Sequence, residues 1–140
     1  MMKLRAKLLN EDATIPTRAH LVDAGLDLYC SKDTFVNREG TTLVPTGVAV
    51  EIPPGYVGLI RDRSSVGKKG LKVTAGVIDA GYTGEVCVVL LNVCAGYTKV
   101  EKGQKVAQLL IIPIETPEVE VVKEFAETER GDKGFGSSDK

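Results

Sequence analysis

One short segment concentrates residues that could bind and activate a small polar molecule. Gly76, Gly81 and Gly84 punctuate a turn between two strand-like runs and allow backbone conformations that other residues resist. Asp79 is the only acid in this turn, so it is a candidate general base. The pattern predicts a β-hairpin whose amides and carbonyls can read a flat polar ligand such as a nucleobase. An ordinary surface turn with a solvated aspartate is the alternative.

Two further segments carry groups suited to anions. Arg63, Ser64 and Ser65 open a predicted helical turn over residues 64–69, with Ser64 as its N-cap, and backbone amides, hydroxyls and a guanidinium together form an anion site. A capped turn beside a surface arginine is the alternative. The glycine-rich stretch from about residue 127 pairs Arg130 with Phe135, which offer donors for phosphate and a stacking face. It predicts either a mobile lid or a disordered terminus.

Composition describes an ordinary single domain. The 140 residues are 43% hydrophobic and 26% charged, with a formal net charge of −1, so nothing favours nucleic-acid or membrane binding. The three cysteines fit neither a disulfide framework nor a zinc site, and we expect Cys87 and Cys94 to be small buried residues. The single histidine, His20, is expected in a surface loop. With no signal peptide or membrane span recognised, the expected location is the cytoplasm.

Strand signals dominate the chain. Runs rich in β-branched residues predict strands at residues 2–9, 41–52, 56–60, 85–92, 106–114 and 119–122. Pro45 and Gly47 interrupt the second of these and predict an edge or a bulge there. Short strands separated by glycine and proline turns predict an all-β sandwich or barrel.

Five segments, taken in order, resemble the motifs of the trimeric dUTPase family, whose members hydrolyse dUTP. They begin Ala24-Gly-Leu-Asp, Arg63-Ser-Ser, Gly76-Val-Ile-Asp, Gly103-Gln-Lys and Thr128-Glu-Arg-Gly. The resemblance covers about residues 24–138. It implies a distorted jelly-roll β-barrel core over residues 1–127, assembled as a homotrimer, and a flexible arm over residues 128–140 that closes over active sites shared between subunits.

The resemblance also implies roles for individual residues. Asp79 would activate the water that attacks the α-phosphate, giving dUMP and pyrophosphate, which limits uracil in DNA and supplies dUMP for dTMP synthesis. Tyr82 would exclude a 2′-hydroxyl, Asp27 would support the site near the metal or an arginine, and Mg²⁺ would be held through phosphates and water, with no direct protein ligand. The uracil and deoxyribose would contact Gly76, Val77, Ile78, Tyr82, Cys87 and Phe135, and the phosphates Arg63, Ser64, Ser65, Gln108, Arg130, Gly136 and Ser137.

Two rival functions share this fold. Gly81 and Ser65 depart from the dUTPase pattern, and the Arg63 and Asp79 segments also resemble those of dCTP deaminases. A deaminase needs a carboxylate where this chain has Val89, which cannot transfer a proton, so deamination is disfavoured. A non-catalytic nucleotide-binding regulator is the other alternative, although a binder needs neither a base at Asp79 nor a closing arm.

Overall fold

The structure is a computed structural model that describes residues 2–94 and 96–139. Met1, the first residue of the predicted core, and Lys140, the last residue of the predicted arm, lie outside the described residues. Strands and one helical turn follow in the order β1 (Arg5–Leu8), β2 (Leu26–Tyr29), β3 (Thr34–Val36), β4 (Thr41–Glu51), β5 (Tyr56–Arg61), α1 (Ser64–Gly67), β6 (Leu71–Thr74), β7 (Val77–Ile78), β8 (Glu85–Asn92), β9 (Thr98–Val100) and β10 (Lys105–Pro113). The all-β prediction is confirmed.

Antiparallel pairs build two four-stranded sheets and one two-stranded sheet. The strand orders are β1-β4-β8-β6, β2-β10-β5-β7 and β3-β9. Side chains from both larger sheets meet in one hydrophobic core, exemplified by Val86, Val88 and Leu90 from β8 and by Val106 and Leu109 from β10. Strict alternation along β8 buries every second residue, because successive side chains of a strand point to opposite faces. The result is a two-layered sandwich.

The structure answers three local predictions, on the interruption of β4, the cap of α1 and a strand after β10. β4 is an inner strand of its sheet, and its register against β8 shifts between Pro45 and Ala49, so the predicted interruption is a bulge. Arg63, which makes no capping hydrogen bond from its side chain, is the N-cap of α1, so the prediction of Ser64 as the cap is wrong. The strand predicted at residues 119–122 is also wrong, since Val119 and Val121 lie exposed in a segment without secondary structure.

The described residues contain no helix long and apolar enough to cross a membrane. The cysteines described as free differ in burial: Cys30 is buried, Cys87 is half-buried and Cys94 is exposed. The expectation of a buried Cys94 is therefore wrong.

Candidate active site

The two strands of the predicted hairpin, β7 and β8, lie in different sheets. β6 pairs with the outer half of β8, from Thr74 opposite Val89 to Leu71 opposite Asn92. The chain then leaves this sheet at Ala75 and Gly76, which have positive φ angles of 61° and 99°. β7 follows and joins the other sheet by pairing with β5, so β7 and β8 do not pair with each other. This is a correction to the simple hairpin that the glycine spacing predicted.

The split opens a cleft of about 390 Å³ between β7 and the first half of β8, here named the β7–β8 cleft. Gly76 anchors its floor, because its carbonyl accepts a hydrogen bond from the Ile60 amide at 2.8 Å. A Cβ at residue 76 would lie 2.9 Å from the Ile60 carbonyl oxygen, so only glycine fits without displacement. The cleft gathers one set of predicted residues: Gly76, Val77, Ile78, Asp79, Tyr82 and Cys87.

Asp79 lies at the exposed end of β7, where the cleft meets solvent. Its carbonyl accepts a hydrogen bond from the Tyr82 amide at 3.1 Å, which closes the turn that follows. Among the described residues, none forms a hydrogen bond or an ion pair with its carboxylate. The acceptor oxygens are therefore free to bind a water molecule beside whatever occupies the cleft.

Tyr82 is fixed over the same turn. Its hydroxyl donates a hydrogen bond to the Glu85 carbonyl at 2.8 Å. A Cβ on Gly84 would lie 2.6 Å from that hydroxyl, so glycine at 84 makes room for the phenol. The ring therefore has a defined position on the cleft wall.

Cys87 and Glu85 form the β8 wall of the cleft. The Cys87 thiol donates to the Glu85 carboxylate at 3.1 Å. Burial, together with this neighbouring carboxylate, raises the pKa of Cys87 to about 12. The thiol therefore remains protonated and unreactive at neutral pH. Glu85 was not predicted to belong to the site, although its position two residues before Cys87 on one strand places both side chains on the same face.

A second cleft, of about 490 Å³, contains the predicted anion-binding residues and is here named the polar cleft. Asp27, Arg63, Ser64, Ser65 and Gln108 all line it. Strand register brings them together, because Gln108 of β10 lies opposite Asp27 of β2 on one side and Arg61 of β5 on the other. None of these residues lines the β7–β8 cleft.

An ionic network orients Arg63 in the polar cleft. The Asp27 carboxylate accepts from the Arg63 Nε at 2.9 Å and pairs with the Lys105 ammonium at 2.9 Å. The Arg63 guanidinium also donates to the Ser65 hydroxyl at 3.3 Å. Gln108 donates to the Asp62 carbonyl at 2.8 Å, and a Cβ at Gly25 would overlap its side chain. Lys105 was missed by sequence reasoning, since β2 and β10 are far apart in the chain.

The predicted arm residues lie away from both clefts in this chain. Arg130 donates from its Nε to the Lys133 carbonyl at 2.9 Å, while Phe135 is fully exposed. None of Arg130, Phe135, Gly136 and Ser137 lines the β7–β8 cleft or the polar cleft. The described residues also contain no group of three or more His, Cys, Asp or Glu side chains suited to hold a metal ion.

Comparison with known proteins decides the family. The dUTPase family model matches residues 11–139. The chain belongs to the dUTPase family. A deoxyuridine 5′-triphosphate nucleotidohydrolase of Clostridium tetani is 44% identical over 98% of this chain and 97% of the relative. A second, from Hydrogenobaculum, is 44% identical over 98% of both proteins.

Solved dUTPase structures share the fold. A mutant of the Staphylococcus bacteriophage 80alpha dUTPase with dUpNHpp superposes with a TM-score of 0.93, at 36% identity and 99% coverage of both chains. A mutant dUTPase from phage phi11 of S. aureus, described with a structural Mg(II) ion, superposes with a TM-score of 0.84 at 34% identity, over 89% of this chain and 99% of that one. The dUTPase-type fold is confirmed.

Proposed function

We propose that this dUTPase hydrolyses dUTP to dUMP and pyrophosphate, with Asp79 activating the water that attacks the α-phosphate. The observation that carries the proposal is the split between β7 and β8, which leaves a cleft lined by backbone groups with an unpaired carboxylate at its mouth. Such a carboxylate accepts a proton from water while the charges of the leaving pyrophosphate are stabilised elsewhere. The reaction lowers dUTP, limits uracil in DNA and supplies dUMP for dTMP synthesis, with the cytoplasm as the proposed location.

Uracil would occupy the β7–β8 cleft. Gly76, Val77 and Ile78 line this cleft together with Cys87 of β8, and those of their amides and carbonyls that are not bonded to β5 would contact a planar base. The ring of Tyr82, held by its hydrogen bond to the Glu85 carbonyl, would pack against the deoxyribose and exclude a 2′-hydroxyl. Because the Cys87 thiol is engaged with Glu85, its main chain is the part that would contact uracil.

The triphosphate would extend into the polar cleft. Arg63, Ser64, Ser65 and Gln108 supply a guanidinium, two hydroxyls and an amide that can donate to phosphate oxygens. Asp27 would act through Arg63, because the 2.9 Å contact fixes the guanidinium and limits the entropy lost when phosphate binds.

Magnesium fits this site as an ion carried by the substrate. Mg²⁺ prefers oxygen ligands and commonly retains water while bridging substrate phosphates. The described carboxylates are scattered, so we propose that phosphate oxygens and water hold the ion, with no direct protein ligand. The bound ion would neutralise charge on the triphosphate, while Asp79 and Arg63 perform the steps assigned to the protein.

Each complete site would combine subunits of a homotrimer. The β7–β8 cleft and the polar cleft share no lining residue. The two clefts that contact one dUTP molecule can therefore belong to different chains. Residues 114–127 carry exposed apolar side chains, including Val119, Val121 and Phe125, that one chain leaves unburied. Packing this segment on a neighbour would deliver Arg130 and Phe135 to that neighbour's site, with Gly136 and Ser137 contacting phosphates.

The reaction is tested by incubating the protein with Mg²⁺ and dUTP, dCTP, dTTP or UTP, measuring pyrophosphate and identifying the nucleotide product. We expect dUMP and pyrophosphate from dUTP alone. Ammonia release from dCTP would instead support a deaminase. Binding of dUTP without turnover of any nucleotide would support the regulatory alternative.

The shared site is tested by mixing two inactive variants, Asp79→Asn and Arg63→Ala, through co-expression with different affinity tags. If the two clefts of one site come from different subunits, random mixing restores about a quarter of the wild-type sites. Each variant alone provides the matched control. No recovery in purified mixed trimers would show that one subunit supplies both residues.

A further inference from the structure

The loop at residues 18–24 forms one wall of the polar cleft and brings a histidine beside the anion-binding residues. His20 and Asp23 line the same cleft as Arg63, Ser65 and Gln108. We propose that His20, positioned by Asp23, is a further polyphosphate-binding residue, which donates a hydrogen bond to the substrate when its imidazole is protonated. This inference rests on the proposed binding of a triphosphate in the polar cleft.

Hydrogen bonds hold the loop in one conformation. The Asp23 carboxylate oxygen Oδ2 accepts from the His20 amide at 2.9 Å and lies 3.1 Å from the His20 Nδ1. The Asp23 amide donates to the His20 carbonyl at 3.1 Å, which closes a four-residue turn. Arg18 donates from its Nε to the Asp23 carbonyl at 2.8 Å. His20 therefore projects from a braced turn, although its side chain is 81% exposed.

This bracing determines which ring nitrogen is available. Because Nδ1 faces a carboxylate oxygen, it carries the proton in the neutral ring, and Nε2 is then only an acceptor. Protonation converts Nε2 into a donor and adds a positive charge. The hydrogen bond from the His20 backbone amide is the main reason that the pKa of Asp23 lies below its usual value. Asp23 therefore stays ionised and keeps Nδ1 engaged.

The other charged groups of the cleft have fixed partners. Arg18 and Asp23 belong to the loop itself. Asp27 of β2 and Arg63, the N-cap of α1, line the cleft and pair with each other, and Lys105 of β10 pairs with Asp27 from outside the lining. Histidine is the side-chain type whose charge ordinarily changes between about pH 5 and 8. A protonated imidazole at this place would add a second charged donor beside the guanidinium of Arg63.

The test is calorimetric binding of Mg²⁺–dUpNHpp, which avoids any dependence on turnover, at pH 6.0 and pH 8.5. For His20→Gln we expect Kd to rise about fivefold at pH 6.0 and to stay within about 1.5-fold of wild type at pH 8.5, the scale of one exposed charge-assisted contact. His20→Lys keeps a positive charge and should bind more tightly than wild type at pH 8.5. Leu21→Gln, at an adjacent side chain that is 96% exposed, is the matched control and should match wild type at both pH values.

The phosphates of dUpNHpp change protonation with pH in the same way for wild type and the three variants. Only differences in Kd between these four proteins therefore bear on His20. Equal Kd values for wild type and His20→Gln at pH 6.0 would overturn the inference, as would a fivefold rise with Leu21→Gln. Turnover of dUTP, measured in parallel, separates the two proposals. His20-dependent binding without hydrolysis would uphold this inference and refute the proposed reaction, whereas hydrolysis with no His20 effect would do the reverse.

Discussion

Replacing Asp27 by asparagine tests whether burial increases the contribution of the polar-cleft ion pairs to the free energy of unfolding. The Asp27 side chain is 13% exposed and meets two cations, Arg63 and Lys105, each at 2.9 Å. Asparagine preserves the shape and one acceptor oxygen, but it removes the charge and turns an NH₂ group toward one of the cations. A hydrogen bond to a charged group is worth roughly 1.5–3 kcal/mol. Because Arg63 and Lys105 remain partly hydrated, we expect a loss of about 2 kcal/mol in the free energy of unfolding.

Glu51→Gln is the matched control for this experiment. Glu51 pairs with Arg5 at the same distance of 2.9 Å, but the two side chains are 52% and 81% exposed. We expect Glu51→Gln to cost less than about 0.5 kcal/mol, since water already solvates both charges.

Thermal unfolding at one fixed protein concentration measures both variants, because the midpoint of the proposed trimer would depend on concentration. The Asp27→Asn midpoint should fall by about 6 °C, whereas Glu51→Gln should change little. Asp27→Asn should also raise the KM for dUTP, since Arg63 loses its anchor. Equal losses of stability in the two variants would refute the reasoning, because distance alone would then account for the strength of the contacts.

Three other predictions concern separate parts of the proposed site. Asp79→Asn should lower kcat by about 10²–10⁴-fold and leave the Kd of dUpNHpp nearly unchanged, and retained turnover would exclude Asp79 as the base. Gly76→Ala should raise the KM for dUTP and destabilise the fold by at least about 1–2 kcal/mol, because φ is 99° and the new Cβ meets the Ile60 carbonyl oxygen. Gly81→Ala, where a Cβ has open space, is its control. Truncation before Thr128 should greatly reduce turnover while the circular dichroism spectrum of the core persists, and an active truncated protein would eliminate the proposed lid.

Alternation in the sequence predicted the central strands well. β8 and β10 are marked by β-branched and leucine-rich runs. The buried positions of β8 follow the period of two, whereas the adjacent Val106 and Ala107 of β10 are both buried, beside the irregularity in its register with β2. Residues 119–122 show a similar pattern, yet this segment is exposed and forms no strand in the chain described here. A pattern records that side chains can be buried on one face, but it does not identify the surface that buries them. That surface can belong to another chain.

The candidate site was predictable in its chemistry and less so in its arrangement. Asp79, Tyr82 and Cys87 are close in sequence, and one cleft gathers them as expected. The pairing of Asp27 with Lys105 depends on the register of β2 against β10, which includes an irregularity between Lys105 and Ala107. Such a long-range register depends on the packing of the whole sandwich, so motifs read one at a time could not provide it.

The backbone at residues 75 and 76 explains how an ordinary sheet acquires the cleft proposed to bind uracil. Had the chain continued straight from β6, residues 75–78 could have extended the ladder along β8, and the backbone groups proposed to read uracil would have bonded to each other. Two successive positive φ angles, at Ala75 and Gly76, turn the chain into the neighbouring sheet instead. Ala75 incurs strain of about 1 kcal/mol in this conformation. The pairing of Val77 and Ile78 with β5 and the burial of Ile78 offset that strain. The cleft is therefore built into the fold by the path of the backbone at these two residues.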